Sequence, residues 1–309
     1  MDLASPQQRF AIPGAVEFDA GEGGLPRVTI TTPAATAEVY LHGAHVTRYA
    51  PAGGRPVLFV SRQSHYADGK PIRGGVPVIF PWFGPNTADS RLPAHGFVRT
   101  RRWDVAAVER LVDGSVLLRL TTSSDGRSRE QWPREFALAV TVTVGRSLTV
   151  ALEVRNTDEK PFRFEAALHT YLAVYDVRAV AIDGLAGREY LDKTANGTRR
   201  TQPDGPFGVT AETDRLYLNT TEAVTVTDPG GPAEGGGGEA GPRTVVVSKS
   251  GSASTVVWNP WVAKAAALAD FGDDEWPQML CVETANAGEN ALMLEPGQTH
   301  VMATEVVVQ

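Results

Sequence analysis

One cysteine, Cys281, is all that the 309 residues contain. An intramolecular disulfide is therefore excluded, and so is a zinc cage built on cysteine pairs. No run of about 18 apolar residues occurs, so no transmembrane helix is expected. The stretch MDLASPQQRFAIPG has no basic segment followed by an apolar one, which argues against a secretory signal. Positive charge is also in deficit: 29 Lys and Arg against 36 Asp and Glu give a formal net charge of -7. Such a balance disfavours non-specific binding to nucleic acid or anionic membrane, and an anionic ligand needs a local basic cluster. No GxGxxG leads from a strand into a helix, and neither a P-loop signature nor a GxSxG elbow is present. The expectation is a soluble, cytoplasmic monomer with no nucleic-acid or membrane partner.

What is there is β-rich. Hydrophobic residues make up 42% and charged residues 21%, the balance of a globular chain able to bury a sizeable core. Short runs of β-branched and aromatic residues predict strands over 28–32, 38–41, 57–60, 76–80, 115–121, 136–144, 148–154, 177–182, 223–227, 244–247, 279–282 and 300–308. Glycine and proline punctuate them throughout, and 136–144 and 148–154 are joined by a hairpin-type connection at 145–147. Amphipathic helix is scarce, and 262–270 (VAKAAALAD) is the best candidate. Many short strands without βαβ alternation predict an all-β fold, a large antiparallel β-sandwich with few short helices. The stretch 228–242 (DPGGPAEGGGGEAGP) reads as a glycine-rich surface loop within one domain spanning 1–309.

Four segments hold chemistry-bearing residues. In PFRFEAALHTY (161–171), strand alternation puts Phe162, Phe164, Ala166 and Leu168 on one face and Arg163, Glu165, His169 and Tyr171 on the other. In MLCVETAN (279–286), Leu280 and Val282 share one face and Met279, Cys281 and Glu283 the other, so a carboxylate sits among apolar neighbours. The pattern alone leaves a solvated face or a salt bridge as open as a functional site for both. KPIRGGVPVIFPWFGPN (70–86) places Arg73 before Gly74 and Gly75, where the backbone is free to turn sharply or approach a ligand. LPAHGFVRTRRW (92–103) gathers Arg99, Arg101 and Arg102 near His95; the arginine fork suits phosphate, although a solvated basic face is the commoner reason for such a run. His42 and His45 (HGAH) lack a nearby third ligand, so no metal is assigned to them. Cys281 reads as a small buried hydrophobe, and Trp82, Trp258 and Trp261 as core residues or sugar-stacking platforms.

Together, KPIRGGVPVIFPWFGPN, LPAHGFVR, WPREF, ALHTYL, ETDRLY, WNPW, CVETAN and EPGQT resemble, in order, the glucose-6-phosphate 1-epimerase branch of the aldose 1-epimerase superfamily. The resemblance implies a galactose mutarotase-like supersandwich with an open cleft on one sheet. It implies interconversion of the α and β anomers of a hexose 6-phosphate, with no cofactor. It makes His169 the general acid and Glu283 the general base, and it makes Arg73, Arg99 and Asp214 substrate-binding residues, with His95 beside them. The family often has glutamine before this HG, whereas the chain has Ala94, so one substrate hydrogen bond is missing. Two other readings stand beside this one. A free-sugar mutarotase has little use for the two arginines, and a non-catalytic carbohydrate-binding sandwich has no need of both His169 and Glu283.

Overall fold

The computed structural model describes residues 9–232 and 239–309. The first eight residues of the N-terminal stretch, and the centre of the glycine-rich segment at 228–242, lie outside the described residues. The antiparallel sandwich expected from the strand pattern is present. One eight-stranded sheet runs in the order Ala181–Asp183, Val224–Asp228, Arg243–Ser250, Thr299–Val308, Ser147–Asn156, Phe136–Val144, Val116–Ser123, Asp104–Arg110. A second runs Thr198–Thr201, Glu189–Asp192, Thr213–Leu218, Ser254–Asn259, Met279–Asn286, Ala166–Leu168, Val78–Ile79, with Tyr171–Ala173 also paired to Met279–Asn286. A four-stranded sheet from Val16–Ala20 to His45–Pro51 packs alongside.

The core lies between the two large sheets. In Ser147–Asn156 the buried apolar positions are Leu148, Val150, Leu152 and Val154, every second residue, as one covered face requires. They share a cluster with Leu168, Leu172, Leu280 and Val282 from the second sheet. The outer face of that second sheet carries its own apolar cluster, including Ala167, Tyr171, Trp258 and Cys281. Consequently Met279–Asn286 is buried along its whole length. A polar side chain on this strand is thus either hydrogen-bonded, or costly, or at work.

Three expected strands shrink. Of 76–80 only Val78–Ile79 is regular, and 57–60 contributes only the bridges Leu58 to Leu172 and Val60 to Gly74. Proline and glycine in this stretch interrupt the ladder. Of 177–182 only the end is strand, Ala181–Asp183, because the Asp176 carboxylate accepts from the Arg178 N–H and closes a turn first. The expected helix is Trp261–Ala267, three residues shorter at its C-terminal end. A further short helix, Gly126–Gln131, is held by a reciprocal Asp125–Ser128 capping box. At the glycine-rich segment, Asp228 is a buried strand end paired with Arg55 and Arg243, so the order of the sheet extends one residue into it.

Candidate active site

The centre of the site follows from strand register. Leu168 faces Thr284 and Tyr171 faces Cys281, and this common register sets His169 opposite Glu283. The strand is interrupted between Leu168 and Tyr171, yet its alternation survives. The Val282 N–H donates to the Thr170 carbonyl at 3.0 Å, and the His169 N–H to the Pro77 carbonyl at 3.0 Å. His169 Nε2 lies 3.3 Å from Glu283 Oε1. Around them, the His169 ring stacks on Tyr171 with centroids 4.7 Å apart and meets the edges of Trp258 and His95.

Burial sets the protonation of this pair. Glu283 is 1% exposed, and desolvation pushes its pKa well above the usual carboxylate range. Desolvation also pulls His169 well below the usual imidazole value, helped by His95 and the nearby arginines. The favoured state is a neutral acid beside a neutral imidazole. Nδ1 of His169 and Oε2 of Glu283 have no hydrogen-bond partner among the described residues.

Arg73 reaches the cleft because Gly74 and Gly75 take φ values of +121° and +64°. A Cβ on Gly75 would stand 2.1 Å from the Val46 carbonyl oxygen, so only glycine fits that approach. The buried His45 donates from Nε2 to the Gly74 carbonyl at 2.7 Å and pins the same turn, while His42 bonds the Lys70 carbonyl; these are structural histidines. Arg73 is committed: it forks onto Asp270 at 3.0 and 3.1 Å and donates to the Tyr171 hydroxyl at 3.2 Å. Arg99, on the short turn Val98–Thr100, is not. Its Nη2 donates to the Ala94 carbonyl at 2.8 Å, and no carboxylate among the described residues pairs with it. Burial, and then the like charge of Arg73, lowers its pKa to about 10, against the opposing pull of Tyr171 and Asp270.

His95 adopts φ +66°, uncommon for a residue with a side chain, and Gly96 beside it packs against the Phe80 carbonyl. The Gly84 N–H donates to His95 Nδ1 at 3.3 Å, which leaves Nε2 to carry the proton of the neutral ring. Asp214 faces Trp258 across the ladder, and burial raises its pKa. Lys193 and Lys264 bracket it at 4.0 and 3.9 Å; Lys264 also pairs with Glu212 at 2.9 Å, and Lys193 sits 4.3 Å from the Phe83 ring centroid.

All six residues singled out in the sequence, Arg73, His95, Arg99, His169, Asp214 and Glu283, line one cleft of about 340 Å³. Lys193, Lys264, Phe83 and Trp258 line it as well, and sequence reasoning did not assign the two lysines. The only hint was that Lys264 lies on the single convincing helical stretch. Glu165, grouped with His169 by alternation, serves the backbone, accepting from the N–H groups of Phe83 and Gly288 at 2.8 Å each. A larger hollow of about 580 Å³ near Thr32 and Arg146 gathers no comparable set of groups, so chemistry and not size singles out the candidate site.

The chain matches the family profile described as aldose 1-epimerase over residues 26–306. A protein of Escherichia coli (strain K12) provisionally named glucose-6-phosphate 1-epimerase is 33% identical over 277 residues, 90% of this chain and 88% of its own length. One of the same provisional name from Cenchrus ciliaris is 34% identical over 276 residues, 85% and 78% of the two chains. Among solved structures, YeaD from Salmonella typhimurium, provisionally described as a mutarotase, matches with a TM-score of 0.85 at 27% identity, covering 97% of this chain and 95% of its own.

Proposed function

The chain belongs to the aldose 1-epimerase family, and from that membership we propose that it is a hexose-6-phosphate mutarotase acting on the anomers of glucose 6-phosphate. The observation that carries the phosphosugar assignment is Arg99. A guanidinium without a carboxylate partner among the described residues, beside a second arginine and close to an acid–base pair, calls for an anion in the cleft. A phosphate monoester brings about −1.5 to −2 charges at neutral pH. Arg73, already neutralised by Asp270, orients the ligand through the donors left to it.

In the proposed mechanism the proton shared by the pair sits on His169 when the sugar is bound, so that Glu283, as the carboxylate, takes the proton of the C1 hydroxyl while the C1–O5 bond breaks. The bond pair goes to O5, which receives a proton from His169, and O1 becomes the carbonyl oxygen. After rotation about C1–C2, His169 takes the O5 proton back, O5 attacks the other face of C1, and Glu283 returns its proton to O1. Protons and electrons balance, and no oxidant or reductant is involved. The two reacting oxygens are bonded to one carbon, a short span suited to proton carriers 3.3 Å apart. Halfway through, Glu283 is protonated and His169 neutral. That is the state which burial favours, so the cleft lowers the energy of the open-chain stage. Asp214 and His95 contact sugar hydroxyls in this reading. Cytoplasmic residence and a monomeric state belong to the same proposal; no helix among the described residues is long and apolar enough to cross a membrane.

The test is saturation-transfer NMR of anomer exchange with glucose 6-phosphate, glucose and galactose in parallel. Acceleration confined to the phosphorylated sugar is the expected result. Acceleration of the free sugars alone would overturn the phosphosugar assignment, and none at all would leave a sugar-binding protein.

A further inference from the structure

A third donor lies buried beside the proton carriers. Cys281 precedes Glu283 by two residues on Met279–Asn286, so both side chains leave the same face of the strand. One ligand atom each from His169, Cys281 and Glu283 lies within 4.8 Å of the other two, and this is the one such group among the described residues. All three residues are buried. Independently, Oε2 of Glu283 lacks a hydrogen-bond partner among the described residues, so the carboxylate has an oxygen free to offer a cation. Nitrogen, sulfur and carboxylate oxygen converging from two neighbouring strands, with the cleft open above, make the three-ligand set that zinc takes when its fourth position is left free.

We propose that the cleft floor binds a thiophilic divalent cation, zinc foremost, through His169, Cys281 and Glu283, and that the bound ion inhibits the enzyme. With Zn–N and Zn–O near 2.0–2.2 Å and Zn–S near 2.3 Å, tetrahedral donors stand roughly 3.5 Å apart. His169 Nε2 and Glu283 Oε1 already do, at 3.3 Å. The remaining closure, at most about 1.3 Å, falls on the Cys281 thiol. Binding forms three dative bonds and expels the thiol proton, and the carboxyl proton when present, to solvent. It then occupies the lone pair of His169 and the carboxylate of Glu283, so neither is left to carry a proton. The binding rests on donor geometry alone. The inhibition rests on the reading of His169 and Glu283 given above.

Cobalt(II) is the probe, because a thiolate ligand gives it a near-ultraviolet charge-transfer band that nitrogen and oxygen ligands do not. Wild type, Cys281→Ala and Cys281→Ser are titrated with cobalt, with circular dichroism as the check on folding. The expected result is one cobalt per wild-type chain, with the band present and bleached by equimolar zinc. Both variants should lack the band and bind zinc at least about tenfold more weakly. In parallel, zinc should suppress anomer exchange in wild type and spare it in Cys281→Ala, each measured against its own metal-free rate. No band in wild type, or equal zinc binding in the folded variants, overturns the proposal. A band in a chain that exchanges no sugar anomers would refute the proposed function and leave the metal site standing.

Discussion

Replacing Glu283 by glutamine separates what the carboxylate does for catalysis from what it does to stability, and the two effects have opposite signs. The side chain is 1% exposed, on a strand covered on both faces, so glutamine fills the same space and keeps an oxygen and an NH2 near His169. It cannot accept a proton. A positioned general base contributes about a hundredfold to ten-thousandfold, equivalent to about 2.7–5.5 kcal/mol of barrier, and kcat/KM should fall by that range. Folding should respond the other way. Because burial raises the pKa of Glu283 above 4.5, the protein pays nothing for it in acid and loses stability as pH rises from about 4.5 toward the raised pKa. Glutamine carries no such loss. The Tm of Glu283→Gln should match wild type near pH 4 and exceed it increasingly toward pH 8. Saturation-transfer NMR reads the first effect and thermal unfolding at several pH values the second. Exchange within tenfold of wild type refutes Glu283 as the base, and a Tm that falls below wild type as pH rises refutes the account of its burial.

Arg99→Met should raise KM for glucose 6-phosphate about 10- to 150-fold with kcat nearly unchanged, the value of one or two hydrogen bonds to a charged group; an equal effect on a free sugar would refute phosphate recognition there. Lys193→Met tests the lysines: removing a cation 4.0 Å from Asp214 should weaken phosphosugar binding more at low salt than at high, and an effect independent of ionic strength would assign Lys193 to packing on Phe83. His45 is buried, with burial lowering its pKa to about 3. Its contribution to stability is complete above pH 6.5 and is lost as pH falls toward 3, about 2 kcal/mol by pH 5. Denaturant titrations of His45→Gln should show a flatter acid limb, and an unchanged slope would exonerate this residue.

The legible parts of the site were those encoded by strand alternation. PFRFEAALHTY and MLCVETAN placed His169 and Glu283 correctly relative to the core because period-two spacing survives the interruption at Thr170. The partners of those side chains were not legible. Arg73 and Asp270 are 197 residues apart and meet only because the segment after Trp261–Ala267 folds back over the sheet. Lys193 reaches the cleft from a 3-10 turn, where no periodicity announces direction. The strands at 57–60 and 76–80 failed because local composition favoured a ladder that prolines and glycines then broke. The two segments instead form the walls that bring Arg73 to the cleft.

His169 and Glu283, the proposed acid and base, stand on adjacent strands, locked in register by the ladder between them, whereas the cations around them come from a turn, a short helix and glycine-hinged segments. Floor and rim are therefore separable inheritances. A slip of one residue in either strand would destroy the chemistry outright, but the rim is open to exchange without touching that register. Swapping the turns that carry Arg99 and Lys193 is a route to accepting differently charged sugars on the same catalytic floor, and descent along this architecture has the same freedom.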